Sequence, residues 1–110
     1  MLPTAGVVTS PNYPDNYPNN LERTDTIQVG EGLIISLQFS AFDIESHSSC
    51  DYDVLEVREG GLATGPLVGR FCGHDTPPSY LSSTNSLYFN FRSDYSVSHA
   101  GFRIRYKTGE

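Results

Sequence analysis

The chain has 110 residues and a formal net charge of −6, with 37% hydrophobic and 18% charged residues, 10 Gly and 7 Pro. That length supports one domain with one core, and the composition suits a folded, turn-rich chain rather than a disordered one. The acidic balance repels phosphate backbones and anionic membrane surfaces at long range, so no nucleic acid and no direct membrane insertion are expected, while a cationic partner is favoured.

The opening Met1-Leu2-Pro3 has neither the charged nor the apolar part of a signal peptide, and no stretch approaches the roughly 20 apolar residues that cross a bilayer. Residues 1–110 are therefore expected to be a single domain, excised from a longer chain and begun with an expression Met. In chain order, residues 26–29 form a first short apolar strand candidate. Ile35-Ser36-Leu37-Gln38-Phe39 then alternates apolar and polar side chains with period two, the pattern of a half-buried strand. Residues 54–57 and 67–71 are further short candidates, bounded by turn residues such as Gly60-Gly61 and Pro77-Pro78. Leu87-Tyr88-Phe89-Asn90-Phe91 and Phe102-Arg103-Ile104-Arg105-Tyr106 again alternate. No segment keeps apolar residues at helical spacing for three turns, so the expected fold is all-β, an antiparallel two-sheet β-sandwich with almost no helix. The polar runs 46–49 and 82–85 read as exposed loops.

The two cysteines, Cys50 and Cys72, fit neither a CxxC pair nor a zinc quartet. Joined, they close a loop worth roughly 3 kcal/mol of denatured-chain entropy. Unjoined, they are buried or reactive thiols. Spacing leaves both readings open.

Four carboxylates sit at strand ends: Glu45, Asp51, Asp53 and Asp94. Loops of a sandwich collect at the two ends of its sheets, so acids from three segments converge if those ends face the same way. Convergent carboxylates repel unless protons, basic groups or a metal cancel the charge, and all-oxygen ligands suit calcium. Three carboxylates around a divalent cation leave one negative charge, able to attract a Lys or Arg of another chain. Against this, Asp is common in turns for its own backbone hydrogen bonds, and the EF-hand loop pattern is absent.

Taken together, Ser10-Pro11-Asn12-Tyr13-Pro14, Asn16-Tyr17-Pro18, Phe42-Asp43-Ile44-Glu45, Cys50-Asp51-Tyr52-Asp53, Phe71-Cys72-Gly73, Phe91-Arg92-Ser93-Asp94 and Gly101-Phe102 give the whole chain a resemblance to the CUB domain. The resemblance implies a CUB-type, jelly-roll-like sandwich from a larger extracellular protein, secreted or membrane-anchored, and a Cys50–Cys72 disulfide. It implies a calcium ion held by Glu45, Asp53 and Asp94, with main-chain oxygens of Ser96 and Val97, and supported by Tyr17. It further implies that Glu45, Asp53 and Asp94 accept a Lys or Arg of a partner protein. The chain departs from the family pattern in lacking the N-terminal cysteine pair: Arg23 stands at the expected second cysteine and Asp25 at a position often aromatic.

Tyr95, next to Asp94, is a candidate aromatic anchor for the partner. His47 and His99 lie close to the acids in sequence, and His99 joins the candidate partner-binding set. Each of the three histidines otherwise reads as an exposed neutral loop residue. No GxSxG elbow, HExxH or phosphate-binding Gly loop occurs, so no enzyme activity is expected. The expected function is a calcium-dependent extracellular protein-recognition module, with other domains of the parent chain as further partners. Two alternatives are a carbohydrate or glycosaminoglycan binder using Arg103, Arg105 and Lys107, which alternate on one face of the last strand, and a structural spacer in a multidomain protease or receptor.

Overall fold

Period-two alternation is what lets a strand bury one face, and the computed structural model, which describes residues 3–109, shows eight strands, the longer central ones built on it. They are β1 Ala5–Thr9, β2 Glu22–Gln28, β3 Ile34–Asp43, β4 Val54–Glu59, β5 Leu67–Phe71, β6 Tyr80–Leu81, β7 Ser86–Arg92 and β8 Gly101–Gly109. Two four-stranded sheets result, ordered β1-β8-β3-β6 and β2-β7-β4-β5, and every pairing is antiparallel. No helix occurs among the described residues. The expected all-β, two-sheet sandwich is the fold.

The inward faces meet in one core. Ile35, Leu37 and Phe39 of β3, Leu55 and Val57 of β4, Leu87, Phe89 and Phe91 of β7, and Phe102 and Ile104 of β8 are all buried. Burying each such side chain is worth roughly 1.5–3 kcal/mol relative to leaving it in water. Edge-to-face stacking joins Phe91 to Phe102, with ring centroids 5.1 Å apart, which bridges the two sheets.

Two strands extend beyond what the sequence pattern marks, and one loop departs from it. β3 does not stop at residue 39 but runs to Asp43, because a bulge between Phe39 and Ala41 inserts one residue and keeps both Phe39 and Phe42 facing inward. β2 begins at Glu22, five residues before Ile27, the first of the apolar pair Ile27 and Val29. Its first half lies on a sheet edge, where Arg23 and Asp25 pair with each other at 3.6 Å instead of packing. That ion pair occupies the place of the missing cysteine and aromatic. The polar run 82–85 is not simply solvated: Ser82 is buried, and its Oγ accepts from the Ile35 amide at 2.7 Å.

Antiparallel pairing fixes which loops share an end. Val54 at the start of β4 lies opposite Arg92 at the end of β7, and Asp43 at the end of β3 lies opposite Gly101 at the start of β8. The segment 93–100 links the two sheets at this end. Gly101 is required there: its φ is +90°, and a Cβ would lie 1.8 Å from Ser10 Oγ. Ser10 Oγ instead accepts the Phe102 amide at 3.0 Å, tying the N-terminal segment across the end of the sandwich.

Candidate metal centre

Glu45 follows β3, Asp53 precedes β4 and Asp94 follows β7, so all three acids fall at the end just described. Each offers a carboxylate oxygen, and these atoms lie within 4.8 Å of one another. Asp51, the fourth candidate, does not join them: its side chain is 64% exposed and lies 3.9 Å from His47. Asp51 and Asp53, two residues apart, would share a face on a regular strand; they lie instead on the irregular segment before β4, whose turn leaves Asp51 outside and brings Asp53 inward at 0% exposure, with Val54 and Leu55 buried after it.

Tyr17 organises the cluster. Its ring is buried edge-on against Phe91, with centroids 4.9 Å apart. Its hydroxyl donates to Asp53 Oδ2 and accepts the Glu45 amide at 3.1 Å, bridging the ends of β3 and β4. Burial first, and then the hydrogen bond to Asp53, push this phenol far above its ordinary range, so it stays a donor. The other oxygen, Asp53 Oδ1, accepts the Asp94 amide at 2.8 Å, which ties the loop after β7 to the same carboxylate. Asp94 Oδ1 in turn accepts the Ser96 amide at 3.3 Å, and Val97 adopts a left-handed backbone with φ of 57°. The loop carrying Ser96 and Val97 therefore folds back over Asp94.

The charges are not balanced from within. No Lys or Arg lies within 4.0 Å of Glu45, Asp53 or Asp94 among the described residues. Glu45 Oε1 is buried without a hydrogen-bond partner, a state that costs a carboxylate more than a neutral group. Burial, and then the neighbouring Asp94 and Asp53 charges, hold the Glu45 carboxyl above its usual range, with His99 pulling more weakly the other way. Asp53 is raised as well, chiefly by burial, with the Tyr17 and Asp94 hydrogen bonds pulling the other way. An oxygen-only donor set, an orphaned buried oxygen and the raised Glu45 and Asp53 carboxyls are together what a bound hard cation would satisfy.

The remaining candidates surround this centre without entering it. Tyr95 is 80% exposed beside Asp94. His99 Nδ1 lies 3.7 Å from Asp43 rather than on the acids of the cluster, and its ring meets that of His74 at 5.3 Å. His47 accepts the Ser49 and Asp51 amides at 3.2 and 3.3 Å and stacks on Tyr52, shaping the loop before β4. Cys50 and Cys72 are joined, with Cα atoms 5.6 Å apart, and fasten that loop to the end of β5. Sequence reasoning gave no sign of the second buried carboxylate, Glu59, which accepts from Tyr80, from the Ser83 amide at 2.7 Å and from Thr84 Oγ1 at 2.8 Å. The only hint was a Ser/Thr-rich run downstream, a signal shared with ordinary loops.

A family model described as CUB domain matches residues 2–106. Bone morphogenetic protein 1 of Xenopus laevis is 48% identical over 102 residues, which are 93% of this chain and 14% of that protein. The chain likewise spans only 10% of the length of mouse tolloid-like protein 1. Among solved structures, the MASP-1 CUB2 domain bound to Ca2+ superposes with a TM-score of 0.85 at 35% identity, covering 97% of this chain and 95% of that one. The extracellular region of zebrafish Gpr126/Adgrg6 contains a match with a TM-score of 0.86 at 33% identity, covering 98% of this chain and 14% of that one.

Proposed function

The chain belongs to the CUB domain family, and on that premise we propose that it is a calcium-dependent module that recognises an extracellular protein through a Lys or Arg side chain. The observation that carries this is the three-carboxylate cluster with its buried, unpartnered Glu45 oxygen and, among the described residues, no Lys or Arg within 4.0 Å. Glu45, Asp53 and Asp94 would hold the ion, with main-chain oxygens of Ser96 and Val97 completing its shell and Tyr17 fixing Asp53. A structural relative of this chain carries calcium, which supports the choice of ion.

Bound calcium supplies two positive charges against three carboxylates, leaving a net charge of −1 on fixed oxygens. Without it, the loops carrying these carboxylates repel until protons, which the raised Glu45 and Asp53 carboxyls take up more readily than ordinary ones, cancel the charge. The residual charge would attract a partner ammonium or guanidinium, and the exposed Tyr95 ring would pack along its alkyl stem, with His99 at the rim. A single contact of this kind is weak, so useful affinity comes from several domains engaging at once. Residues 1–110 are one domain of a longer extracellular protein in this reading. The relatives' lengths and the extracellular Gpr126 region support it. The domain itself carries no catalytic step here; any activity of the parent resides in another domain.

The test is retention of the chain, arrayed multivalently, on surfaces bearing lysyl, arginyl or norleucyl peptides. Calcium-dependent retention on the two cationic surfaces, abolished by Asp94→Ala, is expected. Equal retention in chelator, or on the norleucyl surface, contradicts the proposal.

A further inference from the structure

The seven Lys and Arg residues divide sharply between the two sheets. On the sheet of β2, β4, β5 and β7 each cation is engaged: Arg23 with Asp25, Arg70 and Arg92 with Glu56 at 3.2 and 3.7 Å, and Arg58 with the Gly65 carbonyl at 3.1 Å. The other three, Arg103, Arg105 and Lys107, all lie on β8, and among the described residues no carboxylate comes within 4.0 Å of any of them. Their alternation puts them on the outer face, since Phe102 before them and Ile104 between the two arginines are buried and Tyr106 packs against the core over Gly6.

β8 is flanked by β1 and β3, so the three cations form a straight column in mid-sheet, about 7 Å apart at the strand rise of roughly 3.4 Å per residue. Their cross-strand neighbours are uncharged: Ala5 and Ser36 beside Lys107, Val7 and Gln38 beside Arg105, and Thr9 and Ala41 beside Arg103. Ser40 accepts one Arg103 N–H at 3.1 Å and holds the guanidinium along the strand. A shallow depression of about 450 Å3 runs beside the column. The one carboxylate of this sheet, Asp43, stands at its end and is engaged by His74.

We propose that this column is a binding surface for a sulfated linear polysaccharide, separate from the acidic centre and independent of it. A chain of net charge −6 is repelled by a broad anionic surface, whose charges also face the acidic remainder of the domain. A thin polyanion lying along β8 meets only the column, because charges beyond about 8 Å are screened at physiological salt. The Arg forks offer paired N–H donors to sulfate oxygens, and the Ser36, Ser40, Gln38 and Thr9 side chains beside them suit sugar hydroxyls. The outward positions of this face carry no aromatic ring on which nucleic-acid bases would stack, which disfavours single-stranded nucleic acid.

The experiment measures binding of a heparin hexasaccharide in chelator, so that the acidic centre plays no part. Three contacts predict a log–log salt slope near −2 to −3, at about 0.7 to 0.9 per ion pair. Lys107→Gln and Arg105→Gln, both exposed, should each reduce the slope by about one, and the triple variant with Arg103→Gln should lose binding. A control that removes the same charge from the other sheet, Arg23→Gln with Arg70→Gln and Arg92→Gln, should retain it. Binding that survives the β8 substitutions, or falls equally in the control, overturns the proposal. Equal affinity for a desulfated hexasaccharide, for an oligodeoxythymidylate or for anionic vesicles overturns the sulfated-glycan assignment.

Discussion

Replacing Tyr17 by Phe removes one oxygen atom from the middle of the site. The ring remains, and with it the edge-on contact with Phe91 at 4.9 Å, so no cavity forms. Two hydrogen bonds disappear. Asp53, at 0% exposure, loses a charge-assisted donor, which is worth about 1.5–3 kcal/mol, and the Glu45 amide loses its acceptor at 3.1 Å. The two losses share one hydroxyl and do not simply add, so the expected destabilisation is about 2–4 kcal/mol. For a domain of this size that lowers Tm by about 10–20 °C. Chemical denaturation in chelator, followed by near-ultraviolet circular dichroism, measures it. A loss under about 0.5 kcal/mol, within the scatter of ordinary surface changes, would show that the hydroxyl does not organise the acids.

Other perturbations test separate parts of the molecule. Gly101→Ala places a methyl onto Ser10 at a backbone φ of +90° and should cost at least about 2 kcal/mol, read from denaturant midpoints. Reducing the Cys50–Cys72 bond, whose partners are 22 residues apart, should remove about 3 kcal/mol, seen by comparing denaturation with and without reductant. For Glu59, burial alone would raise the carboxyl, but donation from Tyr80, Ser83 and Thr84 outweighs it and holds the group below its ordinary range. A depressed folded-state pKa contributes stability that is full above the unfolded value, near 4.3, and is lost as pH falls through the folded value. Glu59→Gln should therefore cost about 1–3 kcal/mol at neutral pH, and the gap between the two proteins should narrow as pH is lowered below about 4.3. Thermal unfolding across that range checks it, and a constant gap would contradict the assignment.

Strands facing a core on one side only were legible from sequence where apolar and polar residues alternate, as in β7, β8 and the first half of β3, while β4 and β5 were marked by short apolar runs bounded by turn residues. Elements without that signature were not. β1 reads Ala-Gly-Val-Val-Thr, with no polar–apolar period, and β6 has only two residues; both take their shape from β8 and β3 beside them. The bulge in β3 breaks the period at Ser40 and hides the last third of the strand. At the candidate site, the acids were visible as residue types at strand ends, and the family resemblance singled out Glu45, Asp53 and Asp94. Composition and spacing alone could not separate Asp53 from Asp51, two residues apart, since the difference lies in which side of the chain turns inward. Nor did the sequence show that the cations divide into engaged and unengaged sets, because that depends on which strands become neighbours.

Calorimetric titration of calcium into chelator-treated protein, beside an Asp94→Ala variant, tests the proposed metal centre most directly. Binding at one site in the native chain, with dissociation constants up to the 10⁻⁴ to 10⁻³ M typical of extracellular modules, and loss of the heat signal in a variant that still unfolds cooperatively, is the expected result. No heat from the native chain at millimolar calcium, or undiminished binding after Asp94→Ala, would mean that the three carboxylates are ordinary loop residues and that recognition lies elsewhere on the domain.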